Sequence, residues 1–194
     1  MSRRKFDLLM SSVGVVLTIA LVIGGGLAFW GYSFANNKVH TELAAQQIFF
    51  PPAGSEALAD PAIGPYLNQY AGEQLTTGAQ AQAYADHYIG VHLQGVADGK
   101  TYAEVSTLSR QSPDDAELAG QVQTLFRGET LRGLLLNAYA FWKFGQIALI
   151  GAIAFWAMAA IMFVLSILGF WHLRRTTPTD EILAVEAPRE MVTV

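Results

Sequence analysis

The chain contains no cysteine, which excludes disulfides, thiolate-held metals, iron–sulfur clusters, covalently attached c-type haem and a lipidated cysteine. Charge is scarce as well. Asp, Glu, Lys and Arg make up 14% of the 194 residues, against about 25% in a typical soluble domain. The shortage is concentrated in two stretches of thirty residues, 8–37 and 144–173, which have none of the four. Ion paths and proton relays are marked by ionisable side chains at depth, and His172, near the end of the second stretch, is all that either offers. A haem held between the two would need an axial histidine from each, and the first has none. Transport, proton pumping and haem binding by this chain alone are therefore not expected.

What is present in their place is apolar: 52% of the chain is hydrophobic. Thirty helical residues extend about 45 Å, enough to cross a hydrocarbon core of about 30 Å. Spans are expected over 8–34 and 144–173. Arg3, Arg4 and Lys5 precede the first and Arg174 and Arg175 follow the second, so the positive-inside rule places both ends, 1–7 and 174–194, in the cytoplasm and residues 35–143 outside it. Ser33-Phe34-Ala35 resembles a signal-peptidase site, but a signal peptide's apolar region is about 7–15 residues long; retention as a span of a multi-pass plasma-membrane protein is the expectation. Gly24-Gly25-Gly26 would let a neighbouring helix approach closely, with Trp30 and Tyr32 in the outer aromatic belt.

The segment Lys38 to Lys143 carries six basic and eleven acidic residues, a net charge of −5. Nucleic acid is a poor partner for such a surface. Val39 to Ile48 should continue the first span outward until Phe49-Phe50-Pro51-Pro52 ends it. Pro51 to Pro65 reads as an extended loop across the membrane-proximal face, with Phe49 and Phe50 as anchors. Capping boxes begin at Thr77 and Thr101, and Ser112-Pro113-Asp114-Asp115 reads as a third helix start. Helices are expected near 78–94, 102–110 and 113–126, with a break at Gly128 before the last one. The fold class is thus an all-α membrane protein: two transmembrane helices with a small helical extracytoplasmic domain between them. The tail from Thr176 has mixed charge and no amphipathic pattern and reads as disordered.

Gly95-Val96-Ala97-Asp98-Gly99-Lys100-Thr101 is one residue too short between its glycines for a phosphate loop, so nucleotide is not expected. His87 and His92 stand five apart, about 140° around a helix, rather than on one face as zinc ligands would. Hydrogen-bonded histidines among Tyr84 and Tyr88 are the plainer reading, and no catalytic, metal or cofactor site is assigned. The remaining functional residues gather at the base of the middle segment. Arg127, Glu129 and Arg132 could capture lipid phosphate or an acidic partner, or pair with one another to fix the domain on its stalk, which is the simpler reading. Leu134, Leu135, Tyr139 and Trp142 belong to a stretch that is apolar nearly all round and should touch protein on more than one side.

The segment Gln121 to Trp142, together with Leu75-Thr76-Thr77-Gly78-Ala79-Gln80-Ala81 and Ile48-Phe49-Phe50-Pro51-Pro52, resembles a family of two-span actinobacterial membrane proteins of unassigned activity. More distantly, the chain is similar to small accessory subunits of the respiratory supercomplex that joins a cytochrome bc complex to cytochrome c oxidase. The resemblance implies no catalytic residues. It implies membrane lipids and other membrane-protein subunits as partners, and a non-catalytic, structural role in a respiratory complex. The alternative is an extracytoplasmic binding or sensory module.

Overall fold

The computed structural model describes residues 3–175; the expected disordered tail from Thr176 onward lies outside them. Among the described residues the chain is helical, with turns and one isolated antiparallel bridge between Phe49 and Gln74. Two long helices dominate: α1, Arg3–Ala45, and α7, Ala116–Leu173. At 1.5 Å per residue they extend about 65 and 87 Å. Both are long and apolar enough to cross a membrane. Only 11% of the most apolar window of each is buried within the chain, so their large side chains face outward instead of filling a protein core.

The chain divides into two compact units, one of residues 1–29 and 149–194, the other of residues 30–148. In the first, α1 and α7 meet through small side chains. Gly14 faces Ser166, Gly169 faces Ser11, and Gly25 lies beneath the Trp156 indole, in each case so closely that a Cβ would overlap its neighbour. The partner numbers run in opposite directions, so the helices are antiparallel. Ala152, Ala159 and Ser166 are buried at intervals of seven, the repeat of a coiled-coil seam. Of the three consecutive glycines, Gly25 sits under Trp156 and Gly24 against Phe155, while Gly26 faces open space. The expected close helix approach is therefore met within the chain.

The second unit wraps short helices around the remaining parts of α1 and α7. After α1 ends at Ala45, Phe50 N–H donates to the Glu73 carbonyl and Leu75 N–H to that of Ile48 (2.9 and 2.8 Å), which pins the two ends of the proline-rich segment together. That segment is not extended: it forms α2, Glu56–Ala59, and α3, Gly64–Leu67, followed by a 3₁₀ turn at Asn68–Tyr70. Asp60 holds the turn between α2 and α3, its carboxylate accepting from Ala62 N–H and its carbonyl from Ile63 and Gly64 N–H. The gain is apolar burial, since Leu58, Ile63 and Leu67 all enter the core. Phe50 enters it too, 2% exposed and ringed by Tyr70 and Tyr84. It anchors a protein core, contrary to its expected role at a membrane surface; Phe49 does face outward.

Thr77 and Thr101 cap helices as expected, each with a reciprocal Gln80 or Glu104 partner. The first helix comprises α4, Gly78–Tyr84, a π-helical turn at Ala85–Ile89, and α5, Gly90–Val96. The second is α6, Tyr102–Gln111. The third start lies later than expected. Ser112 N–H closes α6 by donating to Leu108 and Ser109, and the Ser112 carbonyl accepts from Asp115 N–H in a turn, so the chain turns once more before the next helix. Asp115 caps that helix, its Oδ1 accepting from Glu117 and Leu118 N–H. The expected break at Gly128 is absent. Glycine in a helix interior costs about 1 kcal/mol, but here it lets Leu93 pack directly on the α7 backbone, where a Cβ would overlap it. The core around Leu43, Leu75, Val105, Leu125 and Leu135 holds the segment helical on both sides.

Candidate functional site

Residues of the π-helical turn, α5, the turn before α6 and α7 converge on Arg132. The π-helical turn makes one residue more room than an α-turn, a feature frequent at functional positions. Its side chains diverge to three neighbours. Asp86 accepts from Arg132 Nη2 at 3.0 Å, the His87 ring stacks on Tyr66 with centroids 3.5 Å apart, and Tyr88 packs between Tyr84 and His92. His92 Nδ1 lies 2.7 Å from the Tyr88 carbonyl. The two histidines thus have separate partners, and Tyr66 is one that the sequence spacing does not reveal. Tyr84, beside them, has its pKa pushed up by burial and, secondarily, by the nearby Tyr88 phenol.

Arg132 also meets Glu129, one turn earlier on α7, with Nη1 3.5 Å from Oε2. Its Nε is buried without a hydrogen-bond partner. Of the three charged residues expected to cluster, Glu129 and Arg132 come together, while Arg127 is exposed and takes no part in these ion pairs. Five residues of helix rotate Arg127 about 140° from Arg132. The second carboxylate comes instead from Asp86, forty-six residues away. Nothing local to the 127–132 sequence signals it.

Around this pair lies a cleft of about 250 Å³, lined among others by Gln94, Lys100, Thr101, Glu129, Asp86 and Arg132. Lys100 and Thr101 arrive through the turn that resembles a phosphate loop. It is a glycine turn followed by a capped helix: Asp98 and Gly99 adopt φ of 53° and 78°, and Gly99 N–H returns to the Gln94 carbonyl. Two carboxylates oppose two cations here, so the cleft is neutral on balance and polar. Such a site suits a small molecule bearing both signs better than a simple anion. Among the described residues no group of three or more His, Cys, Asp or Glu is placed to hold a metal ion.

The stalk residues part company. Leu135 is 1% exposed in the core, and Trp142 lies over Gly78, whose Cα hydrogens touch the indole. Tyr139 is half-buried beside Trp142. Leu134 stands 62% exposed, with Leu131 and Phe141 also open. The stretch therefore packs against its own unit on one face only. Leu134, Asn137, Ala138 and Phe141 form one wall of a groove of about 230 Å³, opposite Lys38, Val39, Glu42 and Leu43 of α1.

No family model, curated protein or solved structure matches the chain.

Proposed function

We propose that the chain is a two-span membrane protein acting as a non-catalytic accessory subunit of a larger membrane complex. In this reading both ends are cytoplasmic and the unit of residues 30–148 lies on the other side of the membrane. The observation that carries the accessory role is the open apolar face of α7 beyond its own core, Leu131, Leu134 and Phe141. A large apolar patch next to polar surface marks a place where another protein sits. Arg127, exposed close by, would meet an acidic partner surface or lipid phosphate. The chain's more distant likeness to accessory subunits of the respiratory supercomplex suggests a cytochrome bc complex or cytochrome c oxidase as neighbour.

Purification of the tagged full chain in mild detergent, with identification of companions and a haem absorption spectrum, tests this. The expected result is co-purification with cytochrome-bearing subunits, abolished by Leu134→Arg without loss of helical signal. Recovery of the wild-type chain only as a free species would overturn it.

A second reading, an extracytoplasmic binding module, is favoured by the Arg132 cleft. Arg132→Gln would then abolish a ligand-induced rise in melting temperature, while leaving complex recovery unchanged.

A further inference from the structure

At the end of the helix pair in the unit formed by residues 1–29 and 149–194, a cleft of about 280 Å³ is lined by Asp7, Met10, Ser11, Gly14, Met162, Leu165, Ser166, Gly169 and His172. The Asp7 side chain is 17% exposed, and its Oδ2 is buried with no hydrogen-bond partner. The nearest cationic candidate, His172 Nε2, stands 3.9 Å away, too far to donate. A carboxylate oxygen withdrawn from water without a donor is costly. It is the most conspicuous unmet demand in this unit.

We propose that this cleft binds the primary ammonium headgroup of a zwitterionic phospholipid, the ethanolamine type. The inference rests on the two-span reading, which brings the cleft to a lipid headgroup layer. A primary ammonium carries three N–H donors, and the cleft offers acceptors to match. Asp7 supplies the charge. The His172 ring stands beside it, with Nε2 3.9 Å from the carboxylate. Ser166 spends its own proton on the Met162 carbonyl at 2.8 Å, which leaves its oxygen free to accept. Gly14 and Gly169 let the two serine hydroxyls reach the opposite helix. A Cβ at either position would overlap the opposite serine hydroxyl.

The rest of the lipid has a place as well. Arg3 and Arg4 stand four and three residues before Asp7, on its face of α1, and are exposed. They add positive charge at the level of the surrounding lipid phosphates. Arg175 is occupied differently, with its guanidinium 4.2 Å over the Trp171 ring. Met10, Met162 and Leu165 give the cleft an apolar side along which an acyl chain can start. The buried carboxylate disfavours an anionic headgroup at the same spot, and a trimethylammonium lacks the donors that Asp7 requires.

The test uses the full chain in bilayers with equal amounts of phosphatidylethanolamine and phosphatidylcholine, extracted mildly and weighed intact with its retained lipid. Retention of phosphatidylethanolamine over phosphatidylcholine by about tenfold is expected, the worth of one charge-assisted hydrogen bond. Asp7→Asn, of the same shape, should bring the ratio to unity. Leu165→Trp, which fills the apolar side, should do the same without touching the polar groups. Equal retention of both lipids by the wild type, or undiminished preference in Asp7→Asn, would sink the proposal. Displacement of the lipid by soluble phosphoethanolamine at matched concentration would show that a free amine is read, and would overturn the lipid assignment. A chain that fails to enter bilayers overturns the two-span reading itself, an outcome distinct from insertion without preference.

Discussion

In the unit of residues 1–29 and 149–194 the side chains that meet are Ser11, Gly14, Gly25, Ala152, Ala159 and Ser166, with Phe, Ile, Val and Leu turned outward. In the unit of residues 30–148 the buried set is Leu43, Phe50, Ile63, Leu67, Leu75 and Leu135. Among the described residues one unit buries only small side chains, while the other buries Leu, Ile, Val and Phe together with its alanines. In water the drive to remove apolar area from solvent favours the second pattern. In hydrocarbon a Leu gains little by leaving lipid, so helices associate where small residues allow close packing. The contrast within one chain fits the proposed placement of the two units in different solvents.

The largest effect should come from breaking the large-residue pattern. Leu135→Ala removes most of a side chain 1% exposed and should cost about 2–5 kcal/mol, read as a lowered melting point of the 30–148 unit. Gly128→Val sets a branched side chain against Leu93 and should cost about 1–3 kcal/mol by overpacking. Helical content that survives this change would confirm that packing, and not helix breaking, is why glycine stands there. The small-residue pattern is tested by a cross-link, which the absence of cysteine makes clean. A Cβ at residue 169 would lie 3.3 Å from that of Ser11, close to the roughly 3.5–4.5 Å of a disulfide. The double variant Ser11→Cys, Gly169→Cys should therefore close within the chain under mild oxidant. An uncross-linked product breaks the antiparallel pairing.

Two smaller effects sharpen the polar side. Asp86→Ala leaves Arg132 with Glu129 alone and should cost about 1 kcal/mol, since the pair is only part-buried. Glu104, at the start of α6, has its carboxyl held below the usual range chiefly by hydrogen bonds from Thr101 N–H and hydroxyl. A depressed folded-state value means that the contribution is present above the unfolded value and is lost as pH falls through the folded one. Titration of melting temperature below about pH 4 should show a slightly flatter acid slope in Glu104→Gln than in the wild type. An unchanged slope would remove this cap from the acid response.

The long apolar helices and two of the three helix starts are legible in the sequence because they rest on local signals: the absence of charge over thirty residues, and Thr followed three positions later by Gln or Glu. Ser112 misleads because its carbonyl closes a turn with Asp115 N–H, and Asp115, three residues on, supplies the cap. Phe50 misleads because its aromatic partners, Tyr70 and Tyr84, come from distant sequence. The same holds for the Arg132 site. Glu129 is readable at one-turn spacing, whereas Asp86 depends on how α4, α5 and α7 pack. Leu134 and Leu135 look alike in a run of leucines, and only the fold tells the open one from the buried one.

The π-helical turn at Ala85–Ile89 takes up slack in the helix. Five residues there advance about as far around the axis as four α-helical ones, so the extra residue is absorbed where it stands. Removing one of them, for example Tyr88, should give a regular helix in which Leu93 still points at Gly128 and the Thr77 cap stays where it is. The face that buries Ala81 and Ala85 keeps step with the one that docks Leu93 on α7, and the extra residue shows only in how Asp86 and His87 are aimed at Arg132 and Tyr66.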